Sequence, residues 1–186
     1  MKLKTKQVTL TAAMLAICIV SQIFKNLSIF ITGPIINACI ILTVMYAGIA
    51  CGVILSVITP ITAYFITGGG VMAAIIGVNP FGGIMMIVCI MLGNMILAFC
   101  VDFAIRKWNK EPAWGMISGA AIKAAFMGVT IALLIVPRFL PPKMAPMMKT
   151  IQMTFSLFQL ITALIGTVYA MIICIPLSKL MKNTEN

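Results

Sequence analysis

Lys123 is the residue of this chain whose position most demands a chemical reason. It stands in Gly119-Ala120-Ala121-Ile122-Lys123-Ala124-Ala125-Phe126, the tenth residue of an apolar run of 23 that contains no other charge. An ammonium at the centre of a membrane helix costs roughly 2.5–3.5 kcal/mol on insertion scales, so it must face a cavity or a partner rather than lipid. A carboxylate would be the natural partner, but Asp102 has Arg106 one helical turn later and Glu111 falls in a loop. An unpaired central ammonium points to an anionic ligand. The competing explanation is that Lys123 snorkels, or donates to backbone carbonyls of neighbouring helices. Asn94, beside Gly93 in the fourth apolar run, and Asn37, at the outer start of the second, are amides at membrane depth. With Lys123 they could surround one small organic acid.

The last apolar run carries a polar stripe. Gln152, Ser156, Gln159, Thr162, Gly166 and Tyr169 recur at steps of three and four, which hold one face of a helix. In lipid that face must turn inward, to bond neighbouring helices or to line a polar cavity. In the first run Ala12 and Ala16 lie four apart, a spacing of small residues that lets another helix approach closely, whether from this chain or another. The six cysteines sit in apolar stretches with no two-residue spacing, and the chain has no histidine, so zinc and haem lack their usual ligands. The sixteen methionines are spread through the spans and the outer loop, and Met147-Met148 is too sparse to make a copper route.

The elements that position these side chains are membrane helices. Of 186 residues 62% are apolar and 9% charged, with a mean hydropathy of +1.18. A soluble globule would be expected to have about 25% charged residues. From Asn26 to Val101 there are 76 residues without an Asp, Glu, Lys or Arg. The formal charge of +10 would suggest nucleic acid in a soluble chain, but its location argues against that partner. Lys2, Lys4, Lys6, Arg106, Lys107, Lys110, Lys179 and Lys182 flank three connections or ends that read as cytoplasmic under the positive-inside rule. Lys25, Arg138, Lys143 and Lys149 fall outside, an eight-to-four bias.

Six spans fit this length at about 20 residues each. They are expected at approximately 8–24, 35–50, 53–66, 81–105, 114–136 and 153–177, forming one all-α integral membrane domain with both termini cytoplasmic. Gly33-Pro34 marks the break before the second span, and Gly48 to Gly52 divides the second from the third, a short span interrupted by Pro60. Gly68-Gly69-Gly70 and Asn79-Pro80 bracket a connection apolar enough to re-enter the membrane. Trp108 and Trp114 flank the turn before the fifth span, where interfacial aromatics belong. The first apolar stretch is followed by Ser-Gln-Ile-Phe-Lys-Asn-Leu rather than a small-residue cleavage site, so it is read as a span and not a removable signal.

Six spans in under 190 residues, basic ends, and an Ala-x-x-x-Ala motif in a first span led by Lys-Thr-Lys-Gln-Val-Thr-Leu-Thr-Ala-Ala resemble a substrate-binding S component of an energy-coupling factor (ECF) transporter. Thr32-Gly33-Pro34-Ile35-Ile36-Asn37-Ala38, Thr59-Pro60-Ile61-Thr62-Ala63 and Met91-Leu92-Gly93-Asn94 are similar to a branch of that family. The resemblance implies a multi-pass protein of a prokaryotic plasma membrane that binds a vitamin or related micronutrient from outside. It would deliver this cargo with a transmembrane coupling protein and two ATPase subunits, as part of an ABC-type importer. It also implies that Ala12 and Ala16 face the coupling protein. The ligand pocket would lie near the outer side, with Asn94, Gln152 and Gln159 close to the ligand.

Two other classes compete. An autonomous small-solute transporter or channel would need no partner, and often shows internal repeats, which are not evident between the halves. A membrane enzyme would need an acid, base or nucleophile in its site. Ser56, Ser118 and Ser156 with Lys123 as a base are the candidates for such chemistry. No phosphate-binding glycine motif is present, because Gly68-Gly69-Gly70 runs into Val71, and no cofactor is implied.

Overall fold

The computed structural model describes residues 4–24, 29–107 and 111–183, with side chains described up to 176 and from 30 in the second segment. Lys2, Lys25, Trp108 and Lys110 lie outside the described residues, as do the side chains of Lys179 and Lys182. The described residues form helices and no strand: α1 (Thr5–Ile23), α2 (Ile29–Ala47), α3 (Ile49–Thr67), α4 (Val71–Val78), α5 (Pro80–Arg106), α6 (Pro112–Met127), α7 (Val136–Phe139), α8 (Met148–Phe155) and α9 (Leu157–Asn183). A π-helical stretch (Gly128–Ile135) joins α6 to α7, and a 3-10 turn (Pro142–Met147) leads into α8. Six segments are long and apolar enough to cross a membrane, the shortest 18 residues. At ~1.5 Å per residue that is about 27 Å, close to the hydrocarbon thickness. The protein is an all-α bundle of six membrane-spanning helices.

Burial follows from sequence pattern. The α2 helix is apolar all round, as a helix packed on every side must be, and it is the most buried span, contacting α1, α3, α5 and α9. Ile40, Ile41, Leu42 and Val44 lie at the centre of the core with Leu55 of α3 and Leu97 of α5. Outward, Val20, Phe65, Phe81, Leu133 and Ile172 leave an apolar shell that suits hydrocarbon and would be an aggregation surface in water.

Several boundaries depart from the sequence expectation. The second span already includes Ile29 rather than beginning at 35, and carries Pro34 inside the helix. A proline in a membrane helix is tolerated when neighbouring helices satisfy the freed backbone, and α2 is enclosed by neighbours. The third span is a full 19-residue helix from Ile49 with Pro60 buried within it, because the turn is made at one residue, Gly48, whose φ of +93° needs no longer loop. The fourth starts one residue early because the Asn79 side chain accepts from Gly82 N–H at 3.0 Å with Pro80 in the first turn.

The fifth span extends from Pro112 to Phe139 through the π-helical stretch. Pro137 has no N–H to donate to the preceding turn, and a local π adjustment is one way a membrane helix absorbs that loss. The expected sixth span from 153 is two pieces. The helix breaks at Ser156, with φ −121° and ψ −87°, between α8 and α9.

Candidate functional site: a mid-membrane cavity

Gln7 near the start of α1 donates to the Ala47 carbonyl oxygen, and Tyr46 donates to the Cys174 carbonyl oxygen of α9, so α1 begins, α2 ends and α9 runs out at one end of the bundle. Lys123 of α6, Asn94 of α5 and Asn37 of α2 lie part-way along their helices, at mid-height. They meet. Lys123 Nζ donates to Asn37 Oδ1 at 2.6 Å and to Asn94 Oδ1 at 2.7 Å, and all three side chains are buried. The ammonium therefore neither snorkels nor leans on backbone carbonyls.

Glycines set this geometry. A Cβ on Gly93 would fall 2.9 Å from Met127 Cγ and 3.0 Å from its Sδ, so glycine leaves room there for the Met127 side chain, while Lys123 Cγ, 3.6 Å away, lies at ordinary contact distance alongside α5. A Cβ on Gly166 would fall 2.7 Å from both Asn37 Cβ and the Pro34 carbonyl oxygen, so α9 presses against the turn of α2 that carries Asn37.

The three polar side chains border a cavity of about 340 Å³, within the size range of small-molecule sites. Ile36, Ile90, Met72 and Phe155 supply apolar wall, while Thr154 and Gln159 approach from α8 and α9. Most of the lining comes from the helix ends and turns away from the termini, including Thr67 and the Gly69-Gly70 turn. The cavity thus runs from mid-height toward that end.

An ammonium has three donors, and two are engaged. Because both asparagines turn their oxygens to Nζ, their NH₂ groups point away from it as further donors. Among the described residues no carboxylate lines the cavity. Asp102 pairs with Arg106, as the spacing predicts. The result is a cationic, donor-rich pole in an apolar setting, which an anion of the size of a carboxylate would complement.

The structure brings Asn37, Asn94, Lys123 and Gln159 to one cavity and leaves Gln152 out. Expected on one face with Gln159, Gln152 belongs instead to α8, and the break at Ser156 rotates it away. Its Nε2 donates to the Ala132 carbonyl oxygen of the π-helical stretch at 2.9 Å, and it borders a separate shallow groove with Val129 and Leu133. The stripe fails at its other end too, since Tyr169 is exposed. Ala12 and Ala16 are exposed on α1, on the face away from Met14 and Cys18. Each of Ser56, Ser118 and Ser156 donates to a carbonyl of its own chain segment rather than to Lys123.

Gln22 and Thr59 also line the cavity, and sequence reasoning passed over both. Gln22 looks like an interfacial residue at the end of a span, and Thr59 like punctuation before Pro60. A sequence signal existed, because each is a polar side chain within a predominantly apolar run. No protein-family model matches this chain, and no curated protein or solved structure matches it either.

Proposed function

We propose that this protein captures a small organic anion within the membrane, as the substrate-binding S component of an ECF-type importer would. One observation carries the proposal. A mid-membrane lysine is held by two amide oxygens, with no carboxylate among the described residues of the site, at the edge of a mostly apolar cavity. Leaving an ammonium without a counter-charge in such a place is costly, and a carboxylate ligand would offset that cost on binding. Micromolar affinity corresponds to about −8 kcal/mol, which a few well-placed polar groups in an apolar pocket can supply.

In this role the chain performs no chemistry. Vitamin-like carboxylates enter from the side on which the cavity lies, and a separate coupling protein with two ATPases drives release. Ala12 and Ala16 offer that coupling protein a surface free of bulky side chains.

The test is a thermal-shift screen of the detergent-purified protein against vitamins and their precursors, with carboxylate, cationic and neutral members. A ligand of the folded state present at 100 times its Kd stabilises by about 2.7 kcal/mol. We expect carboxylates to raise the Tm of the wild type, and expect that rise to vanish in Lys123→Met. A best hit that is cationic, or a carboxylate hit indifferent to Lys123→Met, would overturn the anion assignment.

A further inference from the structure

The Lys123 pole uses α2, α5 and α6. Two more polar residues, Gln22 of α1 and Thr59 of α3, line the same cavity. Gln22 and Thr59 are each 1% exposed. Gln22 Nε2 donates to the Thr59 carbonyl oxygen at 3.0 Å, one residue before Pro60. That bond fixes the amide: its nitrogen must face the carbonyl, so Oε1 faces elsewhere.

Gln22 Oε1 and the Thr59 hydroxyl are both buried without a hydrogen-bond partner among the described residues. A buried polar atom left unpaired costs about 1–3 kcal/mol, and folded proteins rarely leave one so. Here two belong to neighbouring residues of one cavity wall, the Gln22 amide being engaged through its nitrogen alone. Thr32, on the same wall, is already committed, donating to the Ser21 carbonyl oxygen at 3.1 Å.

The chemistry of the missing group follows from the atoms. An amide oxygen can only accept, and a hydroxyl donates or accepts. A second carboxylate or a bare alkyl end would leave Oε1 unpaired, whereas an O–H, which donates and accepts, or an amide NH₂, with two hydrogens, has the groups to satisfy both atoms. Among the described residues this wall carries no carboxylate to balance a cation. We propose that Gln22 Oε1 and Thr59 Oγ1 form a second binding pole for a neutral hydrogen-bond donor, so that the cargo is a small carboxylate with an apolar middle and an amide or hydroxyl group away from the carboxylate. This rests on the anion-capture proposal and specifies its substrate class.

The experiment compares matched probes by thermal shift: short straight-chain alkanoates, and the ω-hydroxy and ω-carboxamido acids of the same lengths. Proteins are wild type, Thr59→Val and Lys123→Met. Thr59→Val is nearly isosteric and removes a hydroxyl that bonds nothing, while the backbone carbonyl that Gln22 uses is kept. The ligand-free Thr59→Val protein should melt no lower than wild type. In wild type, at least one ω-substituted acid should bind about tenfold tighter than its alkanoate, in line with one buried hydrogen bond gained. That advantage should disappear in Thr59→Val while alkanoate binding persists.

Equal binding of matched acids in wild type would overturn the second pole and leave anion capture standing, the two oxygens then facing bound water only. A lower Tm for ligand-free Thr59→Val would assign the hydroxyl a structural role and overturn it as well. If no carboxylate of either kind shifts wild type, anion capture fails and the two-pole assignment fails with it. Loss of all carboxylate binding in Lys123→Met, alongside the selective effect of Thr59→Val, is the result that establishes both poles.

Discussion

At the scale of the residue, what matters about Lys123 is that its charge is held but not balanced. Asn37 and Asn94 fix the position of the ammonium through their oxygens, yet amides carry no charge to neutralise it. Asn37→Asp separates these two functions, since it keeps the shape and puts a carboxylate at 2.6 Å from Nζ. The ligand-free variant should melt no lower than wild type, because a buried ammonium gains a counter-ion in good geometry. Its affinity for carboxylates should fall by at least about tenfold, because the internal carboxylate now occupies the charge. Retained affinity would show that the ligand does not sense that charge. Lys123, Asn37 and Asn94 were legible in the sequence because a polar side chain at membrane depth needs a reason. Gln22 and Thr59 were legible only as polar side chains in apolar runs; their role lies in which of their atoms remain unbonded, and that is set by a contact across 37 positions of sequence.

At the scale of the element, two close helix contacts hold the site, and each can be tested against a control. Gly166→Ala would drive a methyl to within 2.7 Å of Asn37 Cβ and the Pro34 carbonyl, neither of which can swing aside. The expected loss is about 1–3 kcal/mol, as for other overpacked contacts, read as a lower Tm together with weaker carboxylate binding, since α2 must shift at Asn37. Gly77→Ala, on α4, meets nothing within 4 Å and should hold or raise the Tm, given the helix preference of about 1 kcal/mol for alanine over glycine. Equal behaviour of the two variants would mean that α9 does not clamp α2. The six spans themselves were plain in the hydropathy, because lipid forces every backbone polar group into a helix. Their interruptions were not. Pro34 looked like a boundary but is enclosed within α2, whereas Ser156, which carries no breaker signature, ends α8, so that Gln152 bonds Ala132 and leaves the cavity to Gln159.

At the scale of the whole molecule, the direction in which the cavity faces decides what the protein can do with a ligand. The cavity extends from mid-height toward the end of the bundle formed by the Gly68–Gly70 turn and by α8, the end opposite Arg106 and Lys107. Positive-inside statistics put basic flanks in the cytoplasm, which would turn the cavity outward and suit capture from outside. Reporter fusions settle this directly. A phosphatase that is active only outside the cytoplasm should be inactive when fused after Glu111 and active when fused after Pro146, and a fluorescent reporter that matures only in the cytoplasm should give the reverse pattern. The opposite outcome would leave Lys123, its two asparagines and their cavity unchanged, but would expose them to the cytoplasm. An importer's capture subunit cannot load from that side, so uptake would be lost as a function even if every carboxylate measurement succeeded. Sidedness is therefore an independent condition on the proposal, set by a handful of surface lysines and arginines far from the site.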